Sequence, residues 1–513
     1  MSHPPSRAQA RQQHLPALPI FRLFVFFLTA FLLVSSGIIA SSDGVTIFNV
    51  TQAIVERGEI TISGDNVSIG VGGKLYSRYG IALSVAAIPL YLFGKLVSAL
   101  IPSHFYLLIL KGSVSLTNAI VSAFACLLVV KTGQQLAYSL RTSVQLAMAF
   151  AFSTFFVVYA TKSFLTQPLE TLCLVGTIYC LIAYSRAPDT RTLIYAGCFS
   201  GGGLLTKWAF IINLPIFLGY LLAISGTGRR ARGFVVFSAP VALFVALALG
   251  YNYARFGSIL KTGYWTVAGF TTPLFVGLHG LLLSPGKSLF LYAPIAALGV
   301  VAMRALSKSH KREMWLMLGL FTANLLLIAK YRDWGGEGSW GPRYLTMVLP
   351  CLVLPIGTLL ETGQVAFRRL FLALSLVGLL VQFGGVSIYY GTYYRSIGEY
   401  PYRIRHGDPR FMYKAHYVPR YSPAWGQFTM AGRNWGKLLR GEKPTLTIGT
   451  GSERIPLSGR DQEKLVDALD LWFAYAYYAG VPFGLCLFGM TSLMGAAAAT
   501  GWRLYRSYGV QRQ

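Results

Sequence analysis

Apolar residues in this chain come in runs near 20 residues, and not in the 2- or 3.6-residue alternation of half-buried strands and helices. Twenty helical residues rise about 30 Å, which matches the hydrocarbon core of a bilayer. A backbone in hydrocarbon must satisfy its own N–H and C=O groups, so such runs fold as helices. They lie at 18–40, 107–130, 143–160, 168–185, 192–206, 208–225, 233–250, 281–303, 314–330, 344–360, 370–391 and 471–499, with a thirteenth, 80–101, ambiguous. The expected fold is therefore an all-α polytopic membrane bundle of about 12 transmembrane helices. Composition agrees, since 12% of residues are charged, against about 25% in a soluble domain. A soluble enzyme, a disordered chain and a disulfide scaffold are excluded.

The formal net charge is +27, from 45 Lys+Arg against 18 Asp+Glu. The basic residues punctuate the apolar runs and form no single patch, which excludes a nucleic-acid partner. They report topology instead. If 80–101 does not cross, the N-terminal tail, 131–142, 186–191, 226–232, 304–313, 361–369 and the C-terminal tail share the cytoplasmic side. Every basic cluster then obeys the positive-inside rule. If 80–101 crosses, every cluster after the first moves outside. We therefore read 80–101 as an interfacial or re-entrant helix on the outer face, a reading that Gly80, Pro89 and Gly94 suit. Both termini are expected in the cytoplasm of a cell bounded by this inner membrane, with membrane lipid as a partner.

The first run reads as an uncleaved helix, because Ile38 fits a small-x-small cleavage site before Ser41 poorly. Residues 1–391 form the expected membrane domain, with a first outer loop at 41–106. Segment 392–470 is the candidate small extracytoplasmic lobe, and 471–513 the last span and tail. Within the lobe, TLTIGT (445–450) reads as a strand. DQEKLVDALDLW (461–472) reads as a helix capped by Ser458 or Asp461. The six cysteines lie inside apolar runs and the seven histidines form no ligand-spaced helical pair, so no disulfide or zinc site is argued.

Polar residues cluster where the spans meet the outside. Asp43, in IIASSDG, follows the first run. It is either an interfacial carboxylate capping the next helix or a base or anchor held by a rigid helix end. Lys74, Arg78, Lys207, Arg255 and Arg343 fall on the same side. Each is either a snorkelling cation or a site for an anion. Lys207 sits in a tight hairpin between two apolar runs, where a buried anionic partner is expected. The segment YRDWGGEGSWGPRYL (331–345) joins glycines, which let a ligand approach the backbone, to Trp334, Glu337 and Trp340. The tryptophans suit either sugar stacking or the interfacial aromatic belt. Glu170, near Gln167 in another outer link, is either a second carboxylate of a site or the partner of a base.

These features resemble a known family. Asp43 after the first run precedes AIVERGEI (53–60) and GKLYSRYGIALSVAAIPLYLFG (73–94). GGGLLTK (201–207), NYARFGS (252–258) and GLLLSPGKSLFLYAPI (280–295) follow, then WGGEGSWGPRYL (334–345), SPAWGQ (422–427) and DLWFAY (470–475). In that order the motifs resemble the bacterial branch of the protein O-mannosyltransferase and aminoarabinose-transferase superfamily, the GT-C membrane glycosyltransferases that use polyprenyl-phosphate sugars. The resemblance spans most of the chain. It implies a GT-C fold, an amphipathic helix in the first outer loop, and a catalytic or acceptor-orienting role for Asp43. It also implies that Lys207, Lys74, Arg78 and Arg343 bind the lipid phosphate; Arg255 joins them by position. Many members carry an acid where this chain has Gln167, so either Glu170 takes that role or the second acid is dispensable. The implied reaction moves a hexose or pentose from a polyprenyl-phosphate sugar to a glycan, lipid or protein acceptor, with inversion and on the outer face. The donor is a substrate and no cofactor is required; a divalent metal is neither required nor excluded. The rival reading is a transporter or lipid-linked sugar flippase, which predicts mid-membrane ionisable residues and internal repeats.

Overall fold

The computed structural model describes residues 17–264, 269–444 and 465–509. Helix α1 (Ala17–Leu33) stops short of the end of the apolar run 18–40. Gly37, with φ +68°, turns the chain, and the Ser36 N–H donates to the Thr161 carbonyl. Helix α2 (Ser42–Arg57) follows, and Ser41 is its N-cap, accepting from the Gly44 N–H at 3.1 Å. Asp43 is thus in the first turn of α2 and is not its cap. Its carboxylate is left for other partners.

An antiparallel hairpin, β1 (Val67–Ile69) and β2 (Leu75–Ser77), leads into α3 (Ala82–Ala86) and α4 (Ile88–Ser98). Pro89 has no N–H for the Val85 carbonyl, so the apolar run 80–101 forms two short helices. The 11 residues of α4 rise roughly 16 Å, about half of a hydrocarbon core. Tyr91 is buried among Phe48, Leu110 and Val114, while Leu92, Phe93 and Leu96 are exposed. The segment packs on α2 and α5 (Tyr106–Gln135) with one side buried and the other exposed.

The next helices are α6 (Leu140–Phe152), α7 (Phe156–Thr161), α8 (Gln167–Arg186), α9 (Thr190–Thr206), α10 (Leu214–Ile224) and α11 (Arg230–Phe256). Helix α8 packs on α5 and α9, and α9 packs on α11. The run 281–303 is divided among α12 (Leu274–Leu282), α13 (Leu289–Tyr292) and α14 (Ile295–Ser309). Helices α15 (Lys311–Lys330), α16 (Leu349–Val353), α17 (Ile356–Glu361) and α18 (Val365–Ser387) continue the bundle. Then come α19 (Tyr390–Ser396), α20 (Tyr413–Tyr417) and α21 (Pro423–Leu439), the last of which packs along α18. Helices α22 (Trp472–Tyr478) and α23 (Phe483–Gly509) close the described chain.

Among the described residues, 7 helical stretches are long and apolar enough to cross a membrane, against 12 apolar runs in the sequence. The other runs lie in shorter or broken helices. The run 143–160 breaks after Phe152. The run 471–499 breaks at Gly480, with φ +104°, and Pro482, so its long helix begins only at Phe483. Leu372, Leu376 and Leu380 of α18 and Leu485 and Phe488 of α23 remain exposed, as lipid-facing side chains do.

The strand expected at 445–450 and the caps Ser458 and Asp461 lie outside the described residues. The helix expected over 461–472 is corrected where it can be seen, because 465–471 is a turn followed by extended chain. Tertiary hydrogen bonds outbid helical ones here. Asn434 Nδ2 donates to the carbonyls of Val466 and Ala468, and the Asp470 N–H donates to Ser387 O. Lys162 anchors the same stretch. Its ammonium donates to the Asp470 carbonyl and lies 4.0 Å from the Asp470 carboxylate, with both side chains at most 2% exposed. Burial pulls the Lys162 ammonium down to about 8, and Asp470 opposes that shift.

Removing one member of a buried pair strands the other charge, at a cost of about 3–5 kcal/mol. Lys162→Met should therefore lower the thermal midpoint of the detergent-solubilised protein by several degrees. Adding Asp470→Asn should recover part of that loss, as read by intrinsic fluorescence during heating.

Candidate active site

A cavity of about 1510 Å³ is lined by the start of α2, the loops around the hairpin, the facing ends of α8 and α9, the end of α15 and the Tyr331–Tyr344 segment. It exceeds the roughly 300–1,000 Å³ of an ordinary small-molecule site, leaving space for two substrates.

Asp43 meets Arg343 in its wall, with Oδ2 3.2 Å from Arg343 Nη1. Asn66 Nδ2 donates to Asp43 Oδ1 at 3.0 Å, from a left-handed backbone (φ +54°) that asparagine tolerates. Burial and then the Asp43 carboxylate push the Tyr79 hydroxyl well above its ordinary range. It stays protonated beside the carboxylate. The carboxylate is thus aimed by two donors, one from the hairpin region and one from a residue 300 positions away.

Arg343 also donates to the Tyr344 hydroxyl at 3.0 Å and lies over its ring, with 4.8 Å from guanidinium carbon to centroid. Its buried Nε has no hydrogen-bond partner. Lys207 Nζ lies 4.6 Å from the centroid of the same ring, so Tyr344 stands beside both cations. Lys207 is 3.8 Å from Glu170, which is 3% exposed and accepts from Thr166 Oγ1 at 2.6 Å. Glu170 is therefore the partner of a base and also lines the cavity. Gln167 lines it too, and its buried Oε1 has no partner. Gly80 makes this corner possible, because a Cβ there would strike the carbonyls of Leu205 and Thr206 just before Lys207.

The other sequence candidates separate. Arg78 lines the cavity while its Nε donates to Val67 O. Arg255 lines the cavity too, but it is 2% exposed and commits its guanidinium to the carbonyls of Ser77, Tyr79 and Tyr251 and to Asn252 Oδ1. It clamps the hairpin exit to α11. Lys74 is exposed on the hairpin and lies outside the cavity lining. Neither tryptophan of the 331–345 segment lines the cavity. Trp334 packs on His416 and fills the space left by Gly280. Trp340 is fully buried, donates to Gln382 Oε1 at 2.9 Å and meets Tyr292 edge-on. Both are core residues, because the loop folds its two indoles inward and turns Glu337, Arg343 and Tyr344 to the cavity.

Several contributors were not singled out as site residues from the sequence. Asn66 reads only as part of a formal Asn-Val-Ser sequon. Lys287 is fully buried and donates to the carbonyls of Glu337 and Ser339 and to Ser339 Oγ, holding the loop from beneath. Asp333, 7% exposed, pairs with Arg332 at 3.0 Å and with His406 Nδ1 at 2.9 Å. Burial alone would raise Asp333, but His406 and Arg332 hold it below the usual carboxylate range. The Asp333 hydrogen bond raises His406, and burial raises Glu337. Histidine spacing along the sequence argued for no metal cluster, yet folding brings His406 to two acids 73 and 69 positions away.

No protein-family model matches the chain. No curated protein matches it in sequence. Solved structures do match. ArnT from Cupriavidus metallidurans, bound to undecaprenyl phosphate, has a TM-score of 0.51 at 13% identity, covering 94% of this chain and 77% of that one. The apo oligosaccharyltransferase of Archaeoglobus fulgidus gives 0.47 at 12% identity, covering 92% and 60%. The same organism's AglB, with an inhibitory peptide and a dolichol-phosphate, gives 0.34 at 14%, covering 94% and 56%. This chain thus spans less than two thirds of those two oligosaccharyltransferase chains. The ArnT likeness shows the fold: this is a membrane protein with the GT-C architecture.

The Lys287 clamp is testable without a substrate. Hydrogen bonds to a charged donor are worth about 1.5–3 kcal/mol. Lys287→Met should raise amide hydrogen exchange across 335–341 by at least about tenfold relative to α8.

Proposed function

We propose that the protein is a glycosyltransferase that moves a sugar from a polyprenyl-phosphate monosaccharide to an acceptor hydroxyl at the extracytoplasmic face of an inner membrane. The observation that carries this reading is the pairing of Asp43 with Arg343 in a large cavity, with Lys207 across the shared Tyr344 ring. A carboxylate acceptor of protons and two cations suited to a phosphate thus face one space beside apolar helices. The fold shared with ArnT, which was crystallised with undecaprenyl phosphate, supports a lipid-phosphate donor.

In this mechanism the donor phosphate takes up the spare Nε of Arg343 and the ammonium of Lys207, loosening Arg343 from Asp43. The freed Asp43 carboxylate, still oriented by Asn66, accepts the proton of the acceptor hydroxyl. The hydroxyl oxygen bonds to the anomeric carbon as the carbon–phosphate oxygen bond breaks. The electron pair leaves on the polyprenyl phosphate, and the carbon inverts. Lys207 and Arg343 offset the charge that develops on the leaving group. Glu170 holds Lys207 in place, so the second acid positions a cation here and takes no proton. Arg78 is the third cation facing the phosphate, and Arg255 and Lys74 act outside the reacting centre. Both termini face the cytoplasm, and segment 392–470 helps select the acceptor.

Purified protein should release sugar from a radiolabelled polyprenyl-phosphate sugar when the acceptor is supplied. A flippase would leave that donor intact. Asp43→Asn should reduce transfer by about 10²–10⁴-fold, the usual worth of a positioned base. Near-normal turnover by a well-folded Asp43→Asn protein would remove the base assignment. Lys207→Gln should lower turnover through the leaving-group charge, by about 10²–10³-fold.

A further inference from the structure

Asp333 and Glu337 in the loop after α15 meet His406, from the segment between α19 and α20, beside the cavity. One donor atom from each of the three lies within 4.8 Å of the others. His406 Nδ1 is 2.9 Å from Asp333 Oδ1 and 3.8 Å from Glu337 Oε1. Ligands about 2.0–2.2 Å from a tetrahedral metal stand roughly 3.3–3.6 Å from one another, so small side-chain shifts would admit an ion.

The three groups are already oriented. Arg332 takes the far oxygen of Asp333, Oδ2, through both Nε and Nη2, leaving Oδ1 turned to the imidazole. The His406 ring is packed between Phe411, at 4.4 Å, and Tyr402, at 5.5 Å. Glu337 follows Gly336, and both adopt left-handed backbone, with φ +57° and +66°. Its carbonyl is held by Lys287, and the next N–H donates to Tyr402. The Glu337 carboxylate itself has one ionic neighbour within 4.0 Å among the described residues, His406. A carboxylate that is set by its backbone, feels Arg343 only from beyond 4.0 Å and faces an imidazole is an arrangement that a metal ion would complete.

We propose that Asp333 Oδ1, Glu337 Oε1 and His406 Nδ1 bind one divalent transition-metal ion, Zn²⁺ or Mn²⁺. One nitrogen and two carboxylate oxygens suit these ions better than Mg²⁺ or Ca²⁺, which favour oxygen alone. The ion cross-links the Tyr331–Tyr344 segment to the chain around His406, and its remaining coordination positions face the cavity. It is read without any sugar donor, so its failure and that of the transferase reading are separable.

The test uses tag-free, full-length protein in detergent, stripped with EDTA and desalted. Loss of the free Mn²⁺ electron paramagnetic resonance signal, and Zn²⁺ retained after gel filtration, measure binding. One ion per chain is expected. Glu337→Gln and His406→Ala should each weaken binding by about tenfold or more. Glu337→Gln keeps the size of a partly exposed side chain, so it reports even if His406→Ala unfolds. Absence of stoichiometric binding by the unaltered protein, or Glu337→Gln binding as tightly as it does, would overturn the proposal.

Discussion

A charge buried in an apolar bundle must find a counter-charge or polar partners within the protein, because hydrocarbon offers none and desolvation makes an isolated ion costly. The Asp43–Arg343 pair meets this constraint, and much of the site is arranged around it. Asp43 sits in the first turn of a helix that Ser41 caps in its place. Arg343 sits at the end of a loop that returns through the core and is held below by Lys287. The pair ties the first long loop of the chain to one 300 residues later. Between them the cavity forms, with the buried Arg343 Nε left without a hydrogen-bond partner.

The same economy explains the supporting residues. Arg255 and Lys287 are buried cations with no carboxylate within 4.0 Å among the described residues, and both direct their donors at backbone carbonyls. Each immobilises an irregular segment that cannot satisfy itself as a helix would. Lys162 does the same for the stretch leading into α22 and adds a carboxylate. Irregular backbone near the membrane is tolerated where the protein itself supplies the partners.

Much of this was legible in the residues. The apolar runs indicated a helical protein with spans long and apolar enough to cross a membrane. The order of short motifs indicated the architecture that the ArnT likeness shows. Asp43, Lys207, Arg343, Glu170, Arg78 and Glu337 stand out in the sequence and do line one cavity. Trp334 and Trp340 stand out equally and do not, because a glycine-rich loop can turn its large rings either way and local spacing does not say which. Lys74 and Arg255 share the sign and neighbourhood of the site cations, but one is exposed and the other is consumed by carbonyls. The helix at 461–472 failed for a related reason, since Asn434 and Ser387 claim its backbone from afar.

Chain order thus determined the properties that hydrocarbon thickness and charge asymmetry govern. Those quantities depend on composition within a window, so the helical nature of the chain and the grouping of its polar ends needed no three-dimensional information. Only the tertiary structure decided which of those polar groups meet. Asp43 with Arg343, Lys207 with Glu170, and His406 with Asp333 and Glu337 are pairings across 37 to 300 positions. Their distances are set by helix packing and by buried cations holding loops in place, and no local propensity encodes them.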